Sequence, residues 1–217
     1  MKSENQTKKK KVWPIRAEGA TRIESLAEGV LAVAMTLLIL ELSNNDEFML
    51  ALSDGRLMDI TGQIFGYVIG FLIIGVYWTV HHHMFHYIRR SDGILVWLSI
   101  IFLLFAVLVP IGTKLNNYVE YQSTFGLVFF STTSLISILL LLVIWIYATR
   151  GRRLVDEDLD VNTISFVKKV ISIGSGIFII SILGSIIIPE LGYIGILSLI
   201  YMIIATAVGD HIPFLKR

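Results

Sequence analysis

Six long apolar runs, separated by short charged or polar breaks, constrain this chain more than any other feature of its sequence. A helix needs about 20 mostly apolar residues to cross the hydrocarbon core of a bilayer. Runs of that kind occupy residues 20–42, 60–82, 94–113, 124–147, 164–188 and 192–208. The last follows Pro189 closely, so the fifth and sixth runs predict a tight hairpin. Segment 43–59 is polar and acidic, segment 89–93 is a charged turn, and segment 110–122 mixes polar and aromatic residues. Segment 149–162 carries Arg150, Arg152 and Arg153, then Asp156, Glu157, Asp158 and Asp160; its acidic run reads as a solvated loop.

Composition agrees with this division. A soluble domain carries about 25% charged residues. Here 16% of 217 residues are charged and 55% are hydrophobic. Too few charges remain to coat a soluble globule, and the fold class expected is an all-α integral membrane protein with six transmembrane helices. The sequence has no cysteine, which excludes disulfides, thiolate metal sites and cysteine nucleophiles. A net charge of +1 predicts no general affinity for nucleic acid.

Lysine and arginine placement sets the expected orientation. With the N-terminus in the cytoplasm, only Arg56 and Lys114 of the 18 basic residues fall outside. Both termini are then cytoplasmic, as an even number of spans requires. The division expected is a basic cytoplasmic segment over 1–19, a six-helix domain over 20–209 and a short cytoplasmic C-terminus over 210–217. A cleaved signal peptide is opposed by Arg22, Glu24 and Glu28 between the lysines and the apolar run, and by Glu41 where small residues would be needed. The lysines read instead as an anchor to anionic headgroups, and the membrane expected is a bacterial plasma membrane. The charged start of the first run occurs once, so a site on a symmetry axis needs several copies of the chain.

The first run holds the most informative charges. Charged side chains inside a membrane helix are costly and usually face protein or a water-filled cavity. Glu24 and Glu28 stand four residues apart on one face. Glu24 reads as part of an interfacial helix start near the positive end of the helix dipole. Arg22 and Glu28 read as members of an internal network, Glu28 lying nearly two turns deep. Val30, Val33, Leu37, Leu40 and Glu41 share another face, whose apolar members composition alone assigns to ordinary helix packing.

The second run has Gly62, Gly66 and Gly70 at four-residue steps, a spacing that lets backbones approach closely in lipid. It ends Tyr77-Trp78-Thr79-Val80-His81-His82-His83-Met84-Phe85-His86, with four of the five histidines. Three readings stay open for them. One is a network joining a histidine to the acid and base of the first run. Another is an interfacial helix end, where Trp, Tyr and His are common. The third is a metal site built on His82 and His86, with Glu28 as a further ligand. Residues Ser131, Thr132, Thr133 and Ser134 are weak evidence for a substrate path. No Walker, HExxH, GxSxG or dinucleotide motif is present, so no enzyme chemistry and no cofactor are expected. A Thr-Val-Gly-Tyr-Gly potassium filter is also absent.

Arg22-x-x-x-Leu26-Ala27-Glu28-Gly29-Val30 resembles the Arg-x-x-x-Phe-Ser-Asp start of the transmembrane protein 175 family of lysosomal and bacterial cation channels. The stretch from Ala34 to Leu42, Tyr77-Trp78-x-x-His81-His82-x-x-Phe85 and Phe105-x-x-x-x-Pro110 are similar to the family as well. The resemblance covers residues 16–115.

It implies a six-helix subunit, a homotetramer, and a potassium pore lined by four copies of the first helix. The constriction is then aliphatic, with Val33 at its narrowest layer, Leu37 and Leu40 in the next two, and Thr36 nearby. Arg22 and Glu28, tied to His81 or His82 and to Trp78, would hold the first helix on the second. The chain departs from the family where Leu26-Ala27-Glu28 replaces Phe-Ser-Asp and where valine stands at the constriction. The competing readings are a membrane metal-binding protein or enzyme using the histidines, and a secondary transporter. The latter usually needs repeats and broken helices near the midplane.

Overall fold

In lipid, backbone N–H and C=O groups have no water to bond, so a spanning segment satisfies them within itself as a helix. The computed structural model, described for residues 19–112 and 124–209, follows that rule. Its helices are α1 (Gly19–Ser43), α2 (Asp46–Ser53), α3 (Thr61–Tyr87), α4 (Gly93–Ala106), α5 (Thr124–Thr149), α6 (Val161–Ile187) and α7 (Gly195–Gly209). Among the described residues, six apolar stretches are long enough to cross a bilayer: Gly19–Leu40, Leu57–Tyr87, Gly93–Gly112, Phe125–Arg152, Val161–Ile187 and Glu190–Val208. They coincide with the six runs read from the sequence. The expected terminal segments and Lys114 lie outside the described residues.

Local chemistry places the ends. Asp92 caps α4 by accepting from the Leu95 N–H at 3.0 Å. After Ala106 the helix breaks into a turn at Val107 and Leu108, then resumes to Gly112. Pro110 is the cause: it has no N–H to donate, and its ring crowds the Ala106 carbonyl. Helix α2 was not expected within the acidic segment. Asn45 starts it by accepting from the Phe48 N–H at 3.0 Å, and Phe48 and Ala51 pack with Ile60 beside Leu42. At eight residues it is too short for its periodicity to stand out.

Helix α5 is the centre of the packing, with Ile138, Leu141, Ile144, Trp145 and Ala148 fully buried. It lies against α4 and α6; α6 turns back onto α7 through the Pro189–Ile194 turn; α3 touches α5 and α7. Helix α1 packs on α3 and α4. Of the glycines in α3, Gly66 and Gly70 are buried, whereas Gly62 is exposed with open space beside it.

The serines bind helices together. Ser131 and Ser181 join α5 to α6 at 3.3 Å, Ser181 donates to the Gly192 carbonyl at 2.6 Å, and Ser198 donates to the Gly174 carbonyl at 3.0 Å. Such bonds in lipid contribute roughly 0.6–2 kcal/mol each.

The acidic run expected as a solvated loop is tied down in part. Arg89 and Arg90 both donate backbone N–H groups to the Leu154 carbonyl, at 2.9 and 3.1 Å. Their side chains pair with Asp156 at 3.1 Å and Glu157 at 3.5 Å. Leu154 and Val155 are fully buried beneath them. The fold brings the basic turn after α3 beside this loop, a proximity that the sequence alone conceals.

Candidate functional site

The helical period divides α1 into two faces. Ala20, Ile23, Ala27, Leu31, Ala34 and Leu38, at steps of three or four, are buried against α3 and α4. Leu26, Val33, Leu37 and Leu40 point away, with 49%, 56%, 55% and 54% of their surface exposed. Val30 lies between the two faces, half-buried. The Thr36 hydroxyl, also exposed, donates to the Val33 carbonyl at 2.8 Å. An open groove of about 730 Å³ runs beside this face, lined by Leu26, Val33, Leu37, Val107, Pro110 and Ile111 among others. The aliphatic face is therefore not consumed by packing within the chain.

Near the N-terminal end of α1 a polar cluster joins it to α3. His82 places Nδ1 3.1 Å from Glu24 Oε1 and 3.7 Å from Glu28 Oε1. Trp78, one turn earlier on α3, stacks on the His82 ring at 5.2 Å between centroids and 14° between planes. The stack fixes the ring plane, and helical spacing fixes the two carboxylates on one side of α1. Three expected members, Glu28, Trp78 and His82, therefore come together.

Three placements differ from the sequence reading. Glu24, read as an interfacial residue, is the nearer and the less exposed of the two acids. Arg22 is exposed and forms no ion pair among the described residues. At about 100° per residue, Arg22 lies about 200° around the helix from Glu24, so it cannot share that face. His81 is buried, stacked on Phe85 at 4.2 Å and on Phe102 at 5.6 Å. It lies about 100° around α3 from His82 and belongs to the apolar core. His86 packs edge-on against Tyr87 and is not part of the cluster.

Comparison with known proteins finds relatives of this chain. A family profile described as endosomal/lysosomal potassium channel TMEM175 matches residues 22–110. A potassium channel of Streptomyces collinus is 30% identical over 146 residues, covering 64% of this chain and 69% of that protein. A potassium channel of a Chryseobacterium species is 31% identical over 93 residues, covering 43% of this chain and 46% of that protein; the match spans just under half of the relative. A crystal structure described as a lysosomal potassium-selective channel TMEM175 homolog from Chamaesiphon minutus superposes with a TM-score of 0.72 at 21% identity. It covers 87% of this chain and 98% of that one. The likeness extends to the whole fold.

Proposed function

The chain belongs to the TMEM175 potassium-channel family, and from that premise we propose that it conducts potassium through a pore on the axis of a homotetramer, lined by α1. The family is one of channels and not of enzymes. The observation that carries the reading is the outward aliphatic face of α1. Val33, Leu37 and Leu40 form a column along one helix that stays more than half exposed and lies outside the buried core. Four such columns around an axis make a narrow apolar throat.

An apolar throat gates by excluding water and passes an ion when it widens enough to wet. Val33 is the narrowest layer, Leu37 and Leu40 are the layers beyond it, and Thr36 adds a hydroxyl beside the column. The cluster of Glu24, Glu28, His82 and Trp78 holds α1 at a set rotation on α3, so that the column faces the axis. Arg22, exposed on another face, is available to a neighbouring subunit. His81 secures α3 against α4. Both termini are cytoplasmic, by the placement of the basic residues, in a bacterial plasma membrane. Protons are a second permeant species.

The test is ion flux in proteoliposomes. Potassium-loaded vesicles are diluted into sodium buffer with a pH-sensitive dye and a protonophore. The result expected is dye quenching without valinomycin, reduced by Val33→Trp. Quenching that requires valinomycin, from protein that is folded and oligomeric, overturns the proposal. Dye change without protonophore reports the proton pathway.

A further inference from the structure

We propose that Glu24, Glu28 and His82 form a binding site for a divalent transition-metal ion of the zinc class, which clamps α1 to α3. The ligand atoms of the three side chains lie within 4.8 Å of one another. Zinc bonds of about 2.0–2.1 Å in tetrahedral array put neighbouring donor atoms about 3.3 Å apart. The observed separations of 3.1 and 3.7 Å from His82 Nδ1 to the two carboxylates bracket that value. One imidazole nitrogen and two carboxylate oxygens suit zinc, cobalt or manganese, and the nitrogen disfavours calcium. Three protein ligands leave a fourth position for water.

The charge of the site points the same way. Two carboxylates face one imidazole, and neither pairs with a lysine or arginine among the described residues. Arg22, the nearest arginine in sequence, is turned to another face. Among the described residues two carboxylates thus share one imidazole, and a divalent ion balances both. Binding displaces the Nδ1 proton of a His82 that donates to Glu24, and that proton passes to solvent. The site is open enough to load, with His82 48% and Glu28 44% exposed at the side chain. Trp78 holds the imidazole plane in advance, which lowers the ordering cost of binding. The set differs from a His82–His86 pair, because His86 lies outside it.

The test is equilibrium binding and does not depend on conduction. Full-length protein in detergent, stripped with EDTA, is titrated with Zn²⁺ by calorimetry and with Co²⁺ by visible absorption. The expected result is one ion per subunit, with intensified Co²⁺ bands of four- or five-coordinate geometry. His82→Ala and Glu28→Gln should each weaken Zn²⁺ binding at least tenfold. His83→Ala and His86→Ala should leave it unchanged. Absence of Zn²⁺ uptake by the wild-type chain overturns the site, since the charge is then met in another way. A loss with His86→Ala equal to that with His82→Ala overturns the ligand set. Should the variants fail to fold, the wild-type stoichiometry and Co²⁺ spectrum still decide: a purely hexaaqua-type spectrum rejects the proposal.

Discussion

Tyr147 donates its hydroxyl to Asp92 at 2.6 Å, and this bond fixes the end of α5 to the start of α4. Asp92 has two further partners, the Leu95 N–H at 3.0 Å and Arg153 at 2.8 Å. Arg153 also reaches the Tyr147 hydroxyl and lies over its ring. One carboxylate thus caps a helix, accepts from a phenol and neutralises an arginine. Loss of the cap and of a charged hydrogen bond should make Asp92→Ala less stable by about 2–3 kcal/mol. Tyr147→Phe removes one bond and should cost about 1 kcal/mol. Thermal melts in detergent, followed by size-exclusion chromatography, measure both. Equal melting of Asp92→Ala and wild type would reduce the cluster to a surface contact.

Two glycines should respond differently to alanine. A Cβ at Gly112 would stand 2.7 Å from the Phe130 Cα, which is backbone and cannot swing aside. A Cβ at Gly174 would meet Ile138 Cδ1 at 2.9 Å and Met202 Sδ at 3.0 Å, both on side chains that can rotate. Gly112→Ala should lower stability by about 1–3 kcal/mol, and Gly174→Ala by less. The comparison is again a melt, and the reverse order would place the tight contact in the α6–α7 hairpin.

Substitution at Val33 should change conduction with little effect on the fold, because the side chain is more than half exposed and lies outside the buried core. Val33→Ala or Val33→Ser should widen the throat and lower potassium preference over sodium, read as a shift in reversal potential. Unchanged permeability ratios would move the constriction to Leu37 or Leu40.

Removing an acid from the α1–α3 cluster should weaken assembly before it alters the pore. Glu24 lies nearer His82 and is the less exposed, so Glu24→Ala should reduce the oligomer fraction more than Glu28→Ala. Chromatography of the two variants decides. A folded, assembled and non-conducting Glu28→Ala would instead put Glu28 in the ion path.

The absence of native cysteine makes topology directly measurable. Single cysteines at Ser53, after span one, and at Asp158, between spans four and five, should label from opposite sides of the membrane. A membrane-impermeant maleimide on intact cells should reach Ser53→Cys alone. Labelling of Asp158→Cys alone would invert the orientation.

The spans were legible in the sequence because lipid makes a demand that each segment meets by itself: about 20 apolar residues with every backbone bond internal. The two faces of α1 were legible as a period, for the same local reason. Which face was buried was not, since apolar side chains suit a protein core and lipid equally well. Only packing on α3 and α4 separated Leu31 and Leu38 from Val33 and Leu37. The polar cluster was half legible. Spacing along α1 put Glu24 and Glu28 together and turned Arg22 to another face, but the rotation of α3 chose His82 over His81. The pairing of Arg89 with Asp156 had no sequence signal, because 67 residues separate them and surface charges do not specify partners. Periodicity thus determined what each helix is. The rotation and neighbour of each helix came from the tertiary structure, because those depend on how all the spans pack at once.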